Sequence, residues 1–153
     1  MSHDVTFDVA AAHRFFAADC FNRAWDLIEK PERTPEEDRL MIALNQASIY
    51  HWQHRPDCTN IRLSVGYWQA SRIHALLGNA LDARRYAEVS LAYATNTEPF
   101  YRGYAFEALA RAEMIAGNAG LAAELAAKAR AEAERVEQQH ERELLLADLK
   151  SLQ

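Results

Sequence analysis

Three histidines on neighbouring predicted helices are the first candidates for chemistry. His51 and His54 lie three residues apart, and His74 lies on the next predicted helix. Residues three apart share a helical face, so the three imidazoles could bind a metal ion if the two helices pack in register. The chain has no HExxH motif, and no carboxylates are evident that would complete the ligand set. We therefore expect hydrogen-bonded or exposed histidines, with no metal and no cofactor, and retain these three as the only candidates for a metal site.

Two serines precede two of these histidines at the same spacing. Ser48 lies three residues before His51, and Ser71 lies three residues before His74, within repeated Gln-Ala-Ser-x-x-His segments. A hydroxyl one helical turn from an imidazole resembles a nucleophile beside its base, but a serine nucleophile also needs an oxyanion site and an oriented base. Serine is also common at tight helix contacts. We expect that role for both serines, assign no catalytic residue and predict a protein that is not an enzyme.

A repeated segment positions the remaining candidates. Gly78 and Gly117 are 39 residues apart (117 − 78), and each opens a Gly-Asn-Ala-x-x-Ala sequence. Under this shift, residues 67–94 return in degenerate form as residues 106–133, and Arg72 falls on Arg111. In each copy small residues recur at intervals of three and four after the glycine, which predicts a helix with one closely packing face. Such a helical pair cannot bury its apolar face alone, so the repeat predicts a stack of helical hairpins.

The two copies resemble the tetratricopeptide repeat (TPR), in which a large residue, a small-residue contact, a glycine turn and alanines in the second helix occupy comparable places. The residues that carry this resemblance are Tyr67, Ala70, Ser71, His74, Gly78, Ala83, Ala87 and Ser90, then Phe106, Leu109, Ala110, Gly117, Ala122, Ala126 and Ala129. The resemblance implies an all-α array of antiparallel helical hairpins whose first helices line a concave surface.

The same resemblance implies a peptide-binding groove on the second, third and fifth helices. Its residues are Asn45, Ile49, Trp52, Trp68, Arg72, Tyr104, Glu107 and Arg111. Two guanidiniums one repeat apart could hold a peptide carboxylate through charge-assisted hydrogen bonds, while the aromatic residues supply apolar contact. In the alternative, Arg72 pairs with a neighbouring acid, Arg111 pairs with Glu107 one turn earlier, and the aromatic residues belong to the core.

Length and charge limit the remaining possibilities. A chain of 153 residues is long enough for one domain with its own core, and we predict about seven helices over residues 1–153. Residues 1–6 are expected to be flexible, and a helix within 137–153 is expected to cap the stack. Cys20 and Cys58 have no metal-ligand spacing, which favours two reduced thiols. The net charge of −5 disfavours nucleic acid, and no apolar run is long enough for a membrane span.

These observations predict a cytoplasmic, non-enzymatic scaffold that binds a protein or peptide segment in a helical groove. One alternative is a small-molecule or metal-binding protein, or an enzyme, that uses the region of His51, His54 and His74. A further alternative is self-association, in which an open end of the array pairs with a second copy.

Overall fold

Proline, glycine and capping residues divide the chain into seven helices. The computed structural model describes residue 4 and residues 6–152, and most of the expected flexible segment 1–6 lies outside these residues. The helices of the described part are α1 (Val9–Ile28), α2 (Pro35–Gln53), α3 (Asn60–Leu76), α4 (Ala80–Ala94), α5 (Pro99–Ala116), α6 (Ala119–Glu134) and α7 (Gln139–Lys150). This part of the chain contains no strand, which confirms the all-α prediction.

The chain forms two compact units, Met1–Thr59 and Asn60–Gln153, and the first is the hairpin of α1 and α2. Thr34 begins α2 with a capping box. The backbone N–H of Glu37 donates to Thr34 Oγ1 at 3.2 Å, and the N–H of Thr34 donates to a Glu37 carboxylate oxygen at 3.0 Å. Pro35 occupies the first helical position, where its missing N–H costs nothing.

The second unit stacks α3 to α7, and each helix packs on the next one along the chain. α5 also contacts α3 and α7. The small residues predicted to form one face of α4 and α6 are buried, namely Ala83, Ala87, Ser90, Ala94, Ala122, Ala126, Ala129 and Ala133. At the end of the unit, Leu145 and Leu149 of α7 are buried against alanines of α5 and α6. Small side chains allow the helices to approach closely, while the leucines fill the remaining space.

The two repeated glycines adopt the same turn. Gly78 and Gly117 have φ of 76° and 85°, in the left-handed region where a side chain is strained. The N–H of Asn79 donates to the carbonyl of His74 at 2.8 Å, and the N–H of Asn118 donates to that of Glu113 at 2.9 Å. These bonds satisfy carbonyls at the end of each first helix. The glycines therefore occupy equivalent settings in the two hairpins.

The connection between α4 and α5 contains two threonines that could cap a helix. The residue before α5 is Glu98, however, and it makes no side-chain capping bond. The hydroxyls of Thr95 and Thr97 donate to the carbonyls of Leu91 and Ala94. They satisfy carbonyls at the end of α4, which have no partner within that helix. Pro99 opens α5.

Within the part of the chain that the structure describes, no helix has the length and apolar character needed to cross a membrane.

Candidate functional site

Five of the predicted groove residues, which we call the clamp, lie on two packed helices of the second unit. Trp68 and Arg72 are one turn apart on α3, while Tyr104, Glu107 and Arg111 follow one face of α5. Spacings of three and four residues place side chains on one side of a helix. α3 and α5 pack on each other, so these two rows meet.

The carboxylate of Glu107 lies where the two rows of side chains meet. Its side chain is fully buried, with 0% of its surface exposed. Arg111 donates to one carboxylate oxygen from Nε at 2.9 Å and from Nη2 at 2.6 Å, and Arg72 Nη1 lies 3.4 Å from the same oxygen. The indole N–H of Trp68 donates to the other oxygen at 3.2 Å. The expected Arg111–Glu107 pair is present, and Arg72 shares its acid.

Arg72 is a partly buried cation with charges of both signs nearby. Burial lowers the pKa of Arg72, and the positive charge of Arg111 lowers it further, while Glu107 and Asp148 act in the opposite direction. Desolvation and a like charge both disfavour the charged form of a group. Arg72 therefore depends on neighbouring negative charge to stay protonated in this setting.

Helix α7 contributes two side chains that the sequence reasoning missed. The hydroxyl of Tyr104 donates to an Asp148 carboxylate oxygen at 2.7 Å, and Arg111 Nη2 donates to Ser151 Oγ at 3.0 Å. Burial and the hydrogen bond to Asp148 both raise the pKa of Tyr104, so this phenol is neutral and acts as a donor. Asp148 lies on α7 and Ser151 directly follows the end of that helix at Lys150, but the sequence identified the helix only as a cap.

Arg72 and Arg111 line a common surface cavity of about 260 Å³. Ser151 is the other polar residue of its wall, and the remaining wall is apolar. The apolar residues are Ala75, Leu76, Met114, Ile115 and Leu152. Leu76 and Met114 are each 44% exposed, so part of their apolar surface is open to solvent. The cavity thus combines two cations with accessible apolar surface.

The other three predicted groove residues belong to the first unit. Asn45 and Ile49 are 1% and 5% exposed, so almost none of their surface is available. Trp52 is half-buried, with the guanidinium carbon of Arg55 3.9 Å from the centre of its ring. A groove shared by α2, α3 and α5 stays a prediction.

The predicted histidine candidates are distributed over both units. In the first, the rings of His51 and His54 both contact the ring of His13. The sequence reasoning missed His13 because it lies on α1. In the second, His74 stacks on Tyr86 with ring centres 5.4 Å apart, and its buried Nδ1 has no hydrogen-bond partner. Burial lowers the pKa of His74. Over residues 4 and 6–152, no three His, Cys, Asp or Glu side chains are grouped to hold a metal.

The two serines of the repeated Gln-Ala-Ser segments have structural partners. Ser48 Oγ donates to the carbonyl of Ala17 at 2.7 Å, and Ser71 Oγ donates to that of Ala83 at 2.8 Å. Each hydroxyl thus bonds to the backbone of the helix packed against it, in agreement with the expected role at close helix contacts. Both cysteines are free, with Cys20 buried in the α1–α2 core and Cys58 half-buried after α2.

Comparisons of this chain with protein-family models, with curated proteins and with solved structures find no match.

Proposed function

We propose that this protein is a non-enzymatic interaction module that binds a peptide segment of a partner protein through a carboxylate. Arg72 and Arg111 hold the carboxylate, and Leu76, Met114 and Ile115 contact an adjacent apolar side chain. The observation that carries the proposal is the convergence of both guanidiniums on one cavity while they share a single buried acid, Glu107.

The electrostatics of the cavity favour an anionic ligand. Arg72 and Arg111 remain 20% and 17% exposed at the side chain, so part of each side chain is accessible to a ligand. Guanidiniums bind carboxylates through paired, charge-assisted hydrogen bonds. Because Glu107 already orients both side chains, the ligand does not have to order two flexible arginines when it binds.

The size of the cavity favours part of a peptide over a complete small molecule. Its volume of about 260 Å³ is below the roughly 300–1,000 Å³ of pockets that enclose small molecules. A peptide end or one acidic side chain fits such a volume while the rest of the segment lies on the surface. The exposed apolar residues beside the arginines would then supply most of the binding free energy, with the arginines setting orientation.

The proposal also includes the predictions from the sequence about fold family, location and kind of partner. We propose a TPR-like arrangement, a cytoplasmic location and a protein partner rather than nucleic acid.

The proposal is tested by selecting peptides with free carboxyl ends from a random library displayed on beads and measuring the best binder by calorimetry. We expect the amidated form of that peptide to bind at least tenfold more weakly, because it cannot pair with both guanidiniums. The R72A and R111A variants should show the same loss. R85A is the matched control, since Arg85 lies on α4 and is 66% exposed.

Equal affinity for the free and amidated peptides would overturn the carboxylate clamp. Loss of binding in R85A to the same degree as in R111A would show that only general positive charge matters. Circular dichroism of each variant separates loss of the site from loss of the fold.

A further inference from the structure

The first unit brings two imidazoles into direct contact across its helices. His13 of α1 and His51 of α2 have their Nδ1 atoms 2.8 Å apart, with ring centres separated by 5.1 Å. A nitrogen that carries a proton cannot accept a hydrogen bond. One of the two Nδ1 atoms must therefore be unprotonated and accept the hydrogen bond from the other. Two ring nitrogens at this separation either share one proton or bind one metal ion.

The separation of 2.8 Å is that of a hydrogen bond, and a metal ion that replaced the shared proton without movement of the rings would need a particular angle between its ligands. With metal–imidazole bonds of roughly 2.0–2.1 Å, two ligands at a right angle have nitrogens about 2.9 Å apart, whereas tetrahedral ligands have them about 3.3 Å apart. The observed 2.8 Å is close to the right-angle value. Nitrogen ligands at right angles are typical of Cu²⁺ and Ni²⁺. We propose that the Nδ1 atoms of His13 and His51 bind a Cu²⁺ or Ni²⁺ ion.

The surroundings of the pair suit such an ion. Both histidines are only half-buried, which leaves solvent access for the ion and for water ligands. When the metal binds, the ring that carried the shared proton at Nδ1 holds a proton at Nε2 instead, so no net proton is released.

His54 is beside this site but is not one of its ligands. Its ring stacks on His13 at a centre distance of 5.0 Å and an angle of 19°. Lone pairs lie in the ring plane, so those of two nearly parallel rings run side by side and do not converge. In addition, His54 Nδ1 lies 2.8 Å from the carbonyl oxygen of Tyr50, which can only accept, so this nitrogen carries a proton. The site therefore has two protein ligands.

The test is a titration of the full chain with Cu²⁺ at pH 7.5 in the presence of glycine as a competing chelator, followed by electron paramagnetic resonance. We expect one bound ion whose spectrum shows two equivalent nitrogen ligands. H13A and H51A should each weaken binding at least tenfold and leave one nitrogen in the spectrum. Ni²⁺ should bind more weakly than Cu²⁺, and Zn²⁺ should bind more weakly than Cu²⁺.

Three single variants serve as controls. H54A should change the affinity less than threefold, because His54 supplies no ligand. H140A should also leave it unchanged, since His140 is exposed on α7. H3A tests whether copper binds at His3 instead of at the His13–His51 pair. The proposal is wrong if H13A and H51A bind Cu²⁺ within threefold of the unaltered protein, or if H140A or H3A abolishes binding. Thermal melts of H13A and H51A without metal identify any loss of fold, and a variant that melts normally but binds weakly supports the site.

Discussion

Replacement of Glu107 by glutamine tests the structural part of the clamp. The substitution preserves shape but removes the negative charge that Arg72 and Arg111 share. Hydrogen bonds to a charged partner contribute about 1.5–3 kcal/mol each, against about 0.5–1.5 kcal/mol for neutral ones. With two guanidiniums affected, E107Q should therefore lower the free energy of unfolding by about 2–3 kcal/mol, which corresponds to a decrease in Tm of about 4–12 °C.

The assay is urea unfolding at pH 7, followed by circular dichroism. Glu124 is the matched control, since it is exposed on α6, and E124Q should change the free energy of unfolding by less than about 0.5 kcal/mol. An E107Q protein as stable as E124Q would refute the reasoning, because it would mean that the two arginines do not depend on the buried acid.

E107Q also has a predicted effect on binding. E107Q removes both the negative charge that the two guanidiniums share and the acid that orients them. We expect the change in charge to be the larger effect, so a folded E107Q protein should bind the selected free-carboxyl peptide more tightly than the unaltered protein. The same calorimetric titration measures this change. A weaker interaction in folded E107Q would show that Glu107 is needed to orient the arginines more than it competes with the ligand.

The remaining predictions concern the turns, the helix contacts and pH. G78A and G117A should each cost about 1 kcal/mol in urea unfolding, because both residues have positive φ, whereas G120A should be neutral or stabilising by up to about 1 kcal/mol. Unequal costs for the first two would contradict equivalent turns. S48A should cost about 0.5–1.5 kcal/mol in the same assay, because the buried hydrogen bond from the Ser48 hydroxyl to the carbonyl of Ala17 is lost while that carbonyl keeps its partner within α1. The pKa of His51 is lowered in the folded state, so the unfolded chain takes up a proton first and stability falls as pH drops below about 6.5. Unfolding measured at pH 7.5, 6.5 and 5.5 should show a smaller decrease for H51A, and an unchanged pH dependence would contradict this assignment.

Strong local signals explain why the helices could be predicted. Pro35 and Pro99 occupy first helical positions, and Gly78 and Gly117 end helices with a left-handed residue. These preferences arise from the backbone of the residue itself and require no knowledge of distant contacts. The fixed spacing of the two glycines also identified the repeated hairpin.

Part of the clamp followed from the repeat as well. The equivalence of Arg72 and Arg111 predicted that both would lie on corresponding faces, and they line one cavity. The pairing of Arg111 with Glu107 is local, four residues apart on one helix, and its spacing alone indicated it.

The contacts that sequence could not supply are long-range. Asp148 and Ser151 reach the clamp because α7 folds back on α5, and nothing in their local sequence specifies that packing. His13 likewise meets His51 over 38 residues of sequence. Such pairs depend on the rotation of each helix about its own axis, which periodicity constrains only to a broad face.

The most direct test of the proposed clamp is a nuclear magnetic resonance titration of the arginine side chains with the selected peptide. The Nε–Hε resonances of Arg72 and Arg111 are assigned from the peak lost in each arginine-to-lysine variant. We expect both resonances to shift with the same dissociation constant and the resonance of Arg85 to stay unchanged. Saturable binding of the peptide with no change in the resonances of Arg72 or Arg111 would contradict the proposed clamp.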